Sequence, residues 1–425
     1  MRVAFFEDRG AANFTPVALT RPVFELICGQ FSLRERVLRQ LGVTEWGAFL
    51  RNYLAGTYRA SEPEAHVNDI LWLSRERTLV LNGRWIPTAS ALAALKSDEA
   101  AVVDGTVVAL TLDPMEVPLI TEDNWDDILP QIARSRKIVQ ARGVLLNYPW
   151  DLIEHNAAQL IRDFQLQRFS PSQNEIGPEV AIQGPRADVW VDPTAVLDPF
   201  VVLDARRGPI AIDAGAVIQP FTRLEGPCYV GKGSQLFRAN VREGTTIGPV
   251  CRVGGEVECS ILHGYVNKYH EGFLGHSYVC PWVNIAALST SSDLKSDYSP
   301  VSVPLAGEMI PTGRMKVGCF IGDHTKTTLA SLFNTGSSIG IMSLLVNGGE
   351  MMPKHVPSFS CVKGARSIDE WSLERALHTA RTAMDRRRVQ MSAAEEKLYR
   401  YLFDRTRTER TDAFRRHRER ASQHH

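Results

Sequence analysis

Aliphatic residues recur at every sixth position through the middle of this chain. Val191 and Leu197 start the pattern, and Ile212, Ile218, Leu224, Val230 and Leu236 keep it without a break. After a one-residue deletion it resumes at Val241, Ile247 and Val253, and again at Phe273, Val279 and Ile285. Neither a 3.6-residue helix nor two-residue strand alternation produces that step. It fits a three-sided coil in which each side is one short strand ending in a tight corner, with the aliphatic side chain pointing into the prism. Glycine follows the apolar position in Val230-Gly231, Ile247-Gly248, Val253-Gly254 and Ile321-Gly322, where a corner needs backbone freedom. Sandwich strands do not repeat at six residues. The expected fold for 185–362 is therefore a left-handed parallel β-helix of hexapeptide repeats. Prolines and glycines from Pro300 to Gly313 interrupt the period, and 291–317 is expected to loop out as an arm.

The flanking segments follow other rules. Residues 1–168 read as an α/β domain. Val3–Phe6 and Thr78–Leu81 are short apolar runs that suit buried strands, and Asp104-Gly105 marks a hairpin turn. Ser32 with Glu35 forms a capping box, and helices are expected at 90–96, 123–134 and 149–165. Residues 166–185, including Ser170 to Asn174, are turn-rich and read as a linker. A C-terminal helical tail is expected over 366–425, with capping boxes at Ser367/Glu370 and Ser392/Glu395. The last two residues, His424 and His425, carry little signal.

A length of 425 residues sets roughly two or three domains. Lysine plus arginine equals aspartate plus glutamate at 48 each, so no global field favours nucleic acid or an anionic membrane. Seven cysteines without a C-x-x-C pair suit reduced thiols rather than disulfides or a zinc site. Acidic residues at Glu7 and Asp8 come too early for a signal peptide, and no apolar run is long enough to span a bilayer. The expected location is cytoplasmic.

Within the repeats, Asn267 to Tyr278 gathers two histidines, a lysine, an asparagine and aromatic rings on two short sides. Acyl transfer from a thioester to an amine needs a base that works near neutral pH, which histidine supplies, and backbone N–H donors for the oxyanion.

The stretch from His270 through Leu274-Gly275-His276 to Val283-Asn284-Ile285 resembles the acetyltransferase segment of the bifunctional N-acetylglucosamine-1-phosphate uridyltransferase/glucosamine-1-phosphate N-acetyltransferase family. The chain is still more similar to a divergent bacterial branch of sugar nucleotidyltransferases. Its marks here are Leu19-Thr20-Arg21-Pro22, Gly254-Gly255-Glu256-Val257-Glu258, Asn267-Lys268, Gly275-His276-Ser277-Tyr278 and Ser292-Asp293-Leu294-Lys295. The resemblance implies His270 as catalytic base, with Lys268, Phe273, Asn284, Asp293 and Lys295 as substrate contacts. It further implies acetyl-CoA as acyl donor, a homotrimer, and a place in UDP-N-acetylglucosamine biosynthesis. The family's Gly-Ala-Gly is here Ala286-Ala287-Leu288, Cys280-Pro281 replaces a corner glycine, and a phosphate-binding lysine falls near Glu258.

The first domain departs further. A nucleotidyltransferase needs a glycine-rich loop with an arginine for phosphates and aspartates for Mg²⁺. The expected Gly-x-Gly-Thr-Arg is absent, and Glu7-Asp8-Arg9-Gly10 stands in its place. Asn82 and Arg84 occupy the other expected metal corner. Glu7, Asp8, Arg9, Arg21, Asn82 and Arg84 are the candidate nucleotide ligands, with a structural ion-pair network as the competing reading. The resemblance makes the expected function a bifunctional enzyme of nucleotide-sugar biosynthesis, transferring an acyl group to an amino sugar phosphate and a nucleotidyl group to a sugar 1-phosphate. The alternatives are an acyltransferase with a degenerate, nucleotide-sugar-binding first domain and a non-catalytic trimeric scaffold.

Overall fold

A computed structural model describes residues 2–121, 124–166, 176–346, 348–364 and 367–423. Residues 170–174 of the expected linker, Asp123, and His424 with His425 lie outside them.

The first domain is built on a seven-stranded sheet. Its order is His66–Val67, Trp46–Phe49, Arg2–Phe6, Thr78–Asn82, Thr106–Leu112, Glu99–Val103 and Lys137–Gln140. Arg2–Phe6 lies at its centre, parallel to both neighbours. Fully buried parallel strands must be apolar throughout, which is why Val3 to Phe6 reads as a continuous run. The Asp104-Gly105 hairpin forms with both residues at positive φ, and helix Leu33–Leu41 starts on the Ser32/Glu35 capping box.

The repeat region is a parallel β-helix. One wall stacks Val191, Ile212, Val230, Ile247, Leu262, Val279, Ile321, Ile339 and Val356 in register, all buried. Two further walls carry the stacks Leu197, Ile218, Leu236, Val253 and Leu203, Leu224, Val241, Val257, Leu274. Each coil thus passes three walls and three corners. Around Asn267 the chain turns a first corner at Tyr265, runs along a wall at Asn267–Lys268, turns a second corner at 269–272, runs along Phe273–Gly275 and turns a third corner at His276. Many corners are not glycine: Tyr265, Trp282, His276, Phe200 and Phe221 all take positive φ. Hydrogen bonds to the coils above and below hold those conformations, as from Tyr265 N to Pro249 O at 2.8 Å.

Two expectations need correction. Ser367–Glu370 is not a helix start but a strand, antiparallel to Ser360–Lys363, that closes the prism; the helix is Leu373–Asp385, with Ser372 at its N-cap. The arm forms the hairpin Ser302–Leu305/Glu308–Pro311 and folds onto its own chain. Val301, Val303 and Leu305 join the large core, and Arg314 pairs with Glu154. The arm is therefore spent internally rather than left free to reach a neighbour. Helix Ala393–Arg405 does begin on the Ser392/Glu395 capping box.

The two parts share one core. Ile261, Tyr278 and Phe320 of the β-helix pack with Trp150, Leu152 and the first sheet's inner residues. No helix among the described residues is long and apolar enough to cross a membrane.

Candidate functional site

Open α/β sheets place ligands beyond the carboxyl ends of their strands. At that edge Glu7 and Asp8 follow Phe6, and Asn82 ends the neighbouring strand. All three are buried and engaged. Glu7 accepts from the backbone of Val23 at 2.8 Å and of Arg51 at 3.1 Å, and from the Arg51 guanidinium through both carboxylate oxygens at 3.0 Å. Asp8 accepts from Arg84 Nε at 2.6 Å and Asn82 Nδ2 at 2.7 Å, with Arg84 Nη2 on its second oxygen. Arg84 Nη1 goes to Leu146 O and Asn147 Oδ1. Gly10 has a packing reason: a Cβ there would lie 2.4 Å from the Arg84 guanidinium carbon. The glycine makes room for an arginine, not for a phosphate. A divalent cation needs free carboxylate oxygens. These are taken, so Glu7 and Asp8 do not fit Mg²⁺.

The other two arginines also sit elsewhere. Arg9 is exposed and binds Asp126 and Asp127 in the first turn of helix Trp125–Ala133. Arg21 is turned away from the sheet edge and joins the two parts of the molecule. Its guanidinium pairs with the buried Asp323 of the β-helix, to which Thr20 Oγ1 also donates at 3.0 Å. The Leu-Thr-Arg-Pro motif is thus a docking clasp.

The β-helix residues divide among its corners and walls. Lys268 occupies the interior position after Val253 and is 2% exposed. Its three donors go to the carbonyls of Gly254, His270 and Gly272 at 2.7, 3.2 and 2.6 Å. Burial pulls this ammonium down to about 8. With every donor used, Lys268 is a structural brace rather than a substrate contact. Lys295 likewise braces its own loop, on Ser299 Oγ and Pro300 O. His270 lies exposed at the second corner with its ring against Tyr269. Phe273 is half-buried on the next wall, and Asn284 stands above Asn267, whose Nδ2 donates to its Oδ1 at 2.7 Å.

His276 and Asp293 do come together, at the third corner. His276 Nδ1 is 2.7 Å from Asp293 Oδ2. An ionised carboxylate only accepts, so Nδ1 is the donor here, and in a neutral ring Nε2 would carry the lone pair. The ring retains 17% exposure, enough to meet a ligand. Below it Glu258 is held by Arg242 Nη1 at 2.7 Å and Lys316 Nζ at 3.2 Å. Glu258, Cys259 and His276 offer atoms within 4.8 Å of one another, a cluster small enough for a metal. Yet burial pushes the Cys259 thiol up to about 11, and Glu258 is neutralised by two cations. That chemistry suits a proton-transfer site flanked by cations better than a metal centre. The resemblance pointed to His270; the geometry brings out His276. The only sequence signal for the pair is that both belong to the motifs quoted for the resemblance, Gly275-His276-Ser277-Tyr278 and Ser292-Asp293-Leu294-Lys295.

The molecule therefore joins an α/β domain to a parallel β-helix that carries a histidine–aspartate pair. Residues 3–169 match the family model described as sugar nucleotidyl transferase. A curated relative is the bifunctional sugar-1-phosphate nucleotidylyltransferase/acetyltransferase of Sulfurisphaera tokodaii, 30% identical over 99 residues. That match spans 23% of this chain and a quarter of the relative. Among solved structures, a UDP-N-acetylglucosamine acyltransferase covers 49% of this chain and 76% of its own at 16% identity and a TM-score of 0.23. The Arabidopsis UDP-N-acetylglucosamine acyltransferase covers 48% and 76%, at 10% identity and a TM-score of 0.21.

Proposed function

We propose that this protein is an acyltransferase acting on an amino sugar phosphate, with a first domain that keeps the sugar nucleotidyl transferase fold without its metal chemistry. The observation that carries the reading is the His276 Nδ1 to Asp293 Oδ2 contact of 2.7 Å. Acetyl-CoA is the proposed donor. The acceptor amine attacks the thioester carbonyl, the C–N bond forms and the C–S bond breaks. His276 Nε2 takes the proton from the amine and returns it to the departing thiolate. Asp293 is a positioning residue that fixes the ring and steadies its charged form.

A homotrimer is part of the proposal. Corner residues Phe200, Phe221, Leu288 and Leu329 are exposed along the second corner, and the two phenylalanine rings stack at 5.7 Å. Such exposed apolar pairs at the two ends of one corner favour association. Sedimentation should report three copies, and a stable monomer at micromolar concentration would count against it.

The test is release of coenzyme A thiol from acetyl-CoA with a panel of amino sugar phosphates. Wild type should turn over at least one acceptor. His276→Ala should lose the activity and His270→Ala retain it; the reverse outcome would return the base to His270.

A further inference from the structure

We propose that the cavity between the Asn267–Lys268 wall of the β-helix and helix Leu373–Asp385 binds the nucleoside diphosphate part of a ligand. It does not rest on the acyl-transfer reading. Each coil is three-sided, so this wall lies between the first and second corners and faces away from the third, where His276 stands. The cavity measures about 820 Å³, room for a nucleotide.

The lining supplies cations without carboxylates. Arg252 and Lys326 come from the β-helix and Arg386 and Arg387 from the end of the helix, and no aspartate or glutamate joins them. Among the described residues, Arg252 has only two long contacts, to the carbonyls of Gly233 and Cys251 at 3.4 and 3.5 Å. Burial, and then the charge of Arg387, pulls the Arg252 guanidinium below its ordinary value. Burial likewise brings the Lys326 ammonium down to about 7; its one hydrogen bond goes to Trp282 O. Cations drawn together this way repel one another until an anion joins them. Two linked phosphates bring enough charge to offset several, and arginine forks match their oxygens in pairs.

Aromatic rings also line the cavity. Tyr265 and Trp282 stand on successive coils at the first corner, stacked at 4.1 Å and 18°, with the His324 ring stacked next to Trp282, so they offer a ligand their apolar edges. Both take positive φ, at 53° and 64°, so the coil spends strained backbone to present large rings. Arg252, Asn267, Asn284 and Lys326 follow one another on successive coils of this wall, so the asparagines lie between the two β-helix cations. Their mutual bond leaves Asn284 Nδ2 as donor and Asn267 Oδ1 as acceptor for the edge of a base or sugar. Arg252, with Arg387 beside it, marks the diphosphate end, and the amides next along the wall meet the nucleoside. A nucleotide sugar and coenzyme A both contain that order.

Titration calorimetry on the full chain with UDP, ADP, acetyl-CoA and inorganic pyrophosphate tests this. UDP or ADP should bind at least about tenfold more tightly than pyrophosphate, the worth of one edge-to-face ring contact. Preference for UDP identifies a nucleotide sugar as the source; preference for ADP and acetyl-CoA identifies the coenzyme. Arg387→Glu, just beyond the helix end, should weaken binding about tenfold or more, and Lys326→Gln should weaken it also. Pyrophosphate binding as tightly as the nucleotides, nucleotide binding indifferent to Arg387→Glu with the fold intact by circular dichroism, or no binding at all would each overturn the proposal.

Discussion

The carboxyl edge of the first sheet and the third corner of the β-helix use the same kinds of residue and end in opposite states. At the sheet edge Glu7 and Asp8 are saturated by Arg51, Arg84, Asn82 and backbone donors. At the corner Asp293 takes one nitrogen of His276 and leaves the other free. The difference is one of donor supply. An arginine fork can fill a carboxylate on both oxygens, which buries the charge safely and removes it from chemistry. An imidazole gives one donor and keeps one lone pair, which is what proton transfer requires. Residue type alone does not separate a structural cluster from a reactive one; the count of satisfied atoms does.

That contrast can be broken in several places. The largest effect is expected from the scaffold itself. Val230→Asp buries an unpaired charge in the aliphatic stack and should unfold the β-helix, seen as loss of the cooperative thermal transition. A folded, trimeric Val230→Asp protein would mean the interior is not dry.

At the open cluster, His276→Ala should lower acyl transfer by roughly 10²–10⁴-fold in protein that stays folded, beyond the stability lost because the buried Asp293 gives up its partner. Asp293→Asn should lower it less and alter the pH profile of the rate, since the positioning acceptor is lost. Equal stability loss and activity loss in His276→Ala would make the pair structural.

At the closed cluster the pattern should invert. Arg84→Ala leaves Asp8 buried and unpaired, which costs about 3–5 kcal/mol by denaturant titration, while acyl transfer in the surviving folded protein should be unaffected. Loss of acyl transfer without loss of stability would place Arg84 in the chemistry.

The smallest effect concerns Lys268. Its folded value, about 8, lies below that of an ordinary lysine. The unfolded chain therefore binds more protons between about pH 8 and the ordinary value of about 10.4. Stability should rise with pH through that window, and Lys268→Met should abolish the rise. A pH-independent difference between the two proteins would contradict the burial of a charged lysine in the stack.

The fold was largely legible. A six-residue period can only be read one way, and the capping boxes at Ser32 and Ser392 are local signals that the structure realises. Ser367/Glu370 carries the same local signal and is a strand, because the exposed edge of Ser360–Lys363 offers a full ladder of hydrogen bonds that outweighs one cap. The site was legible only in part. His276 and Asp293 stand on neighbouring coils, but Asp293 lies where the arm leaves the six-residue period, so the repeat alone does not announce their contact. Arg84 with Asp8, 76 positions apart, and Arg21 with Asp323, 302 apart, have no local rule to announce them. Their meeting depends on how two parts of the molecule pack. Arg21 was the natural choice for a phosphate because it is an arginine held before a proline; the structure uses that rigidity to clasp the β-helix.

The central claim is that chemistry has moved to the corner and left the sheet edge. Pyrophosphate release from nucleoside triphosphates, sugar 1-phosphates and Mg²⁺ tests it most directly, measured on a preparation that releases thiol from acetyl-CoA. The account predicts thiol release with no Mg²⁺-dependent pyrophosphate release above background. Pyrophosphate formed at a catalytic rate, and lost in Asp8→Asn, would show that the Asp8–Arg84 pair opens to hold metal and would contradict it.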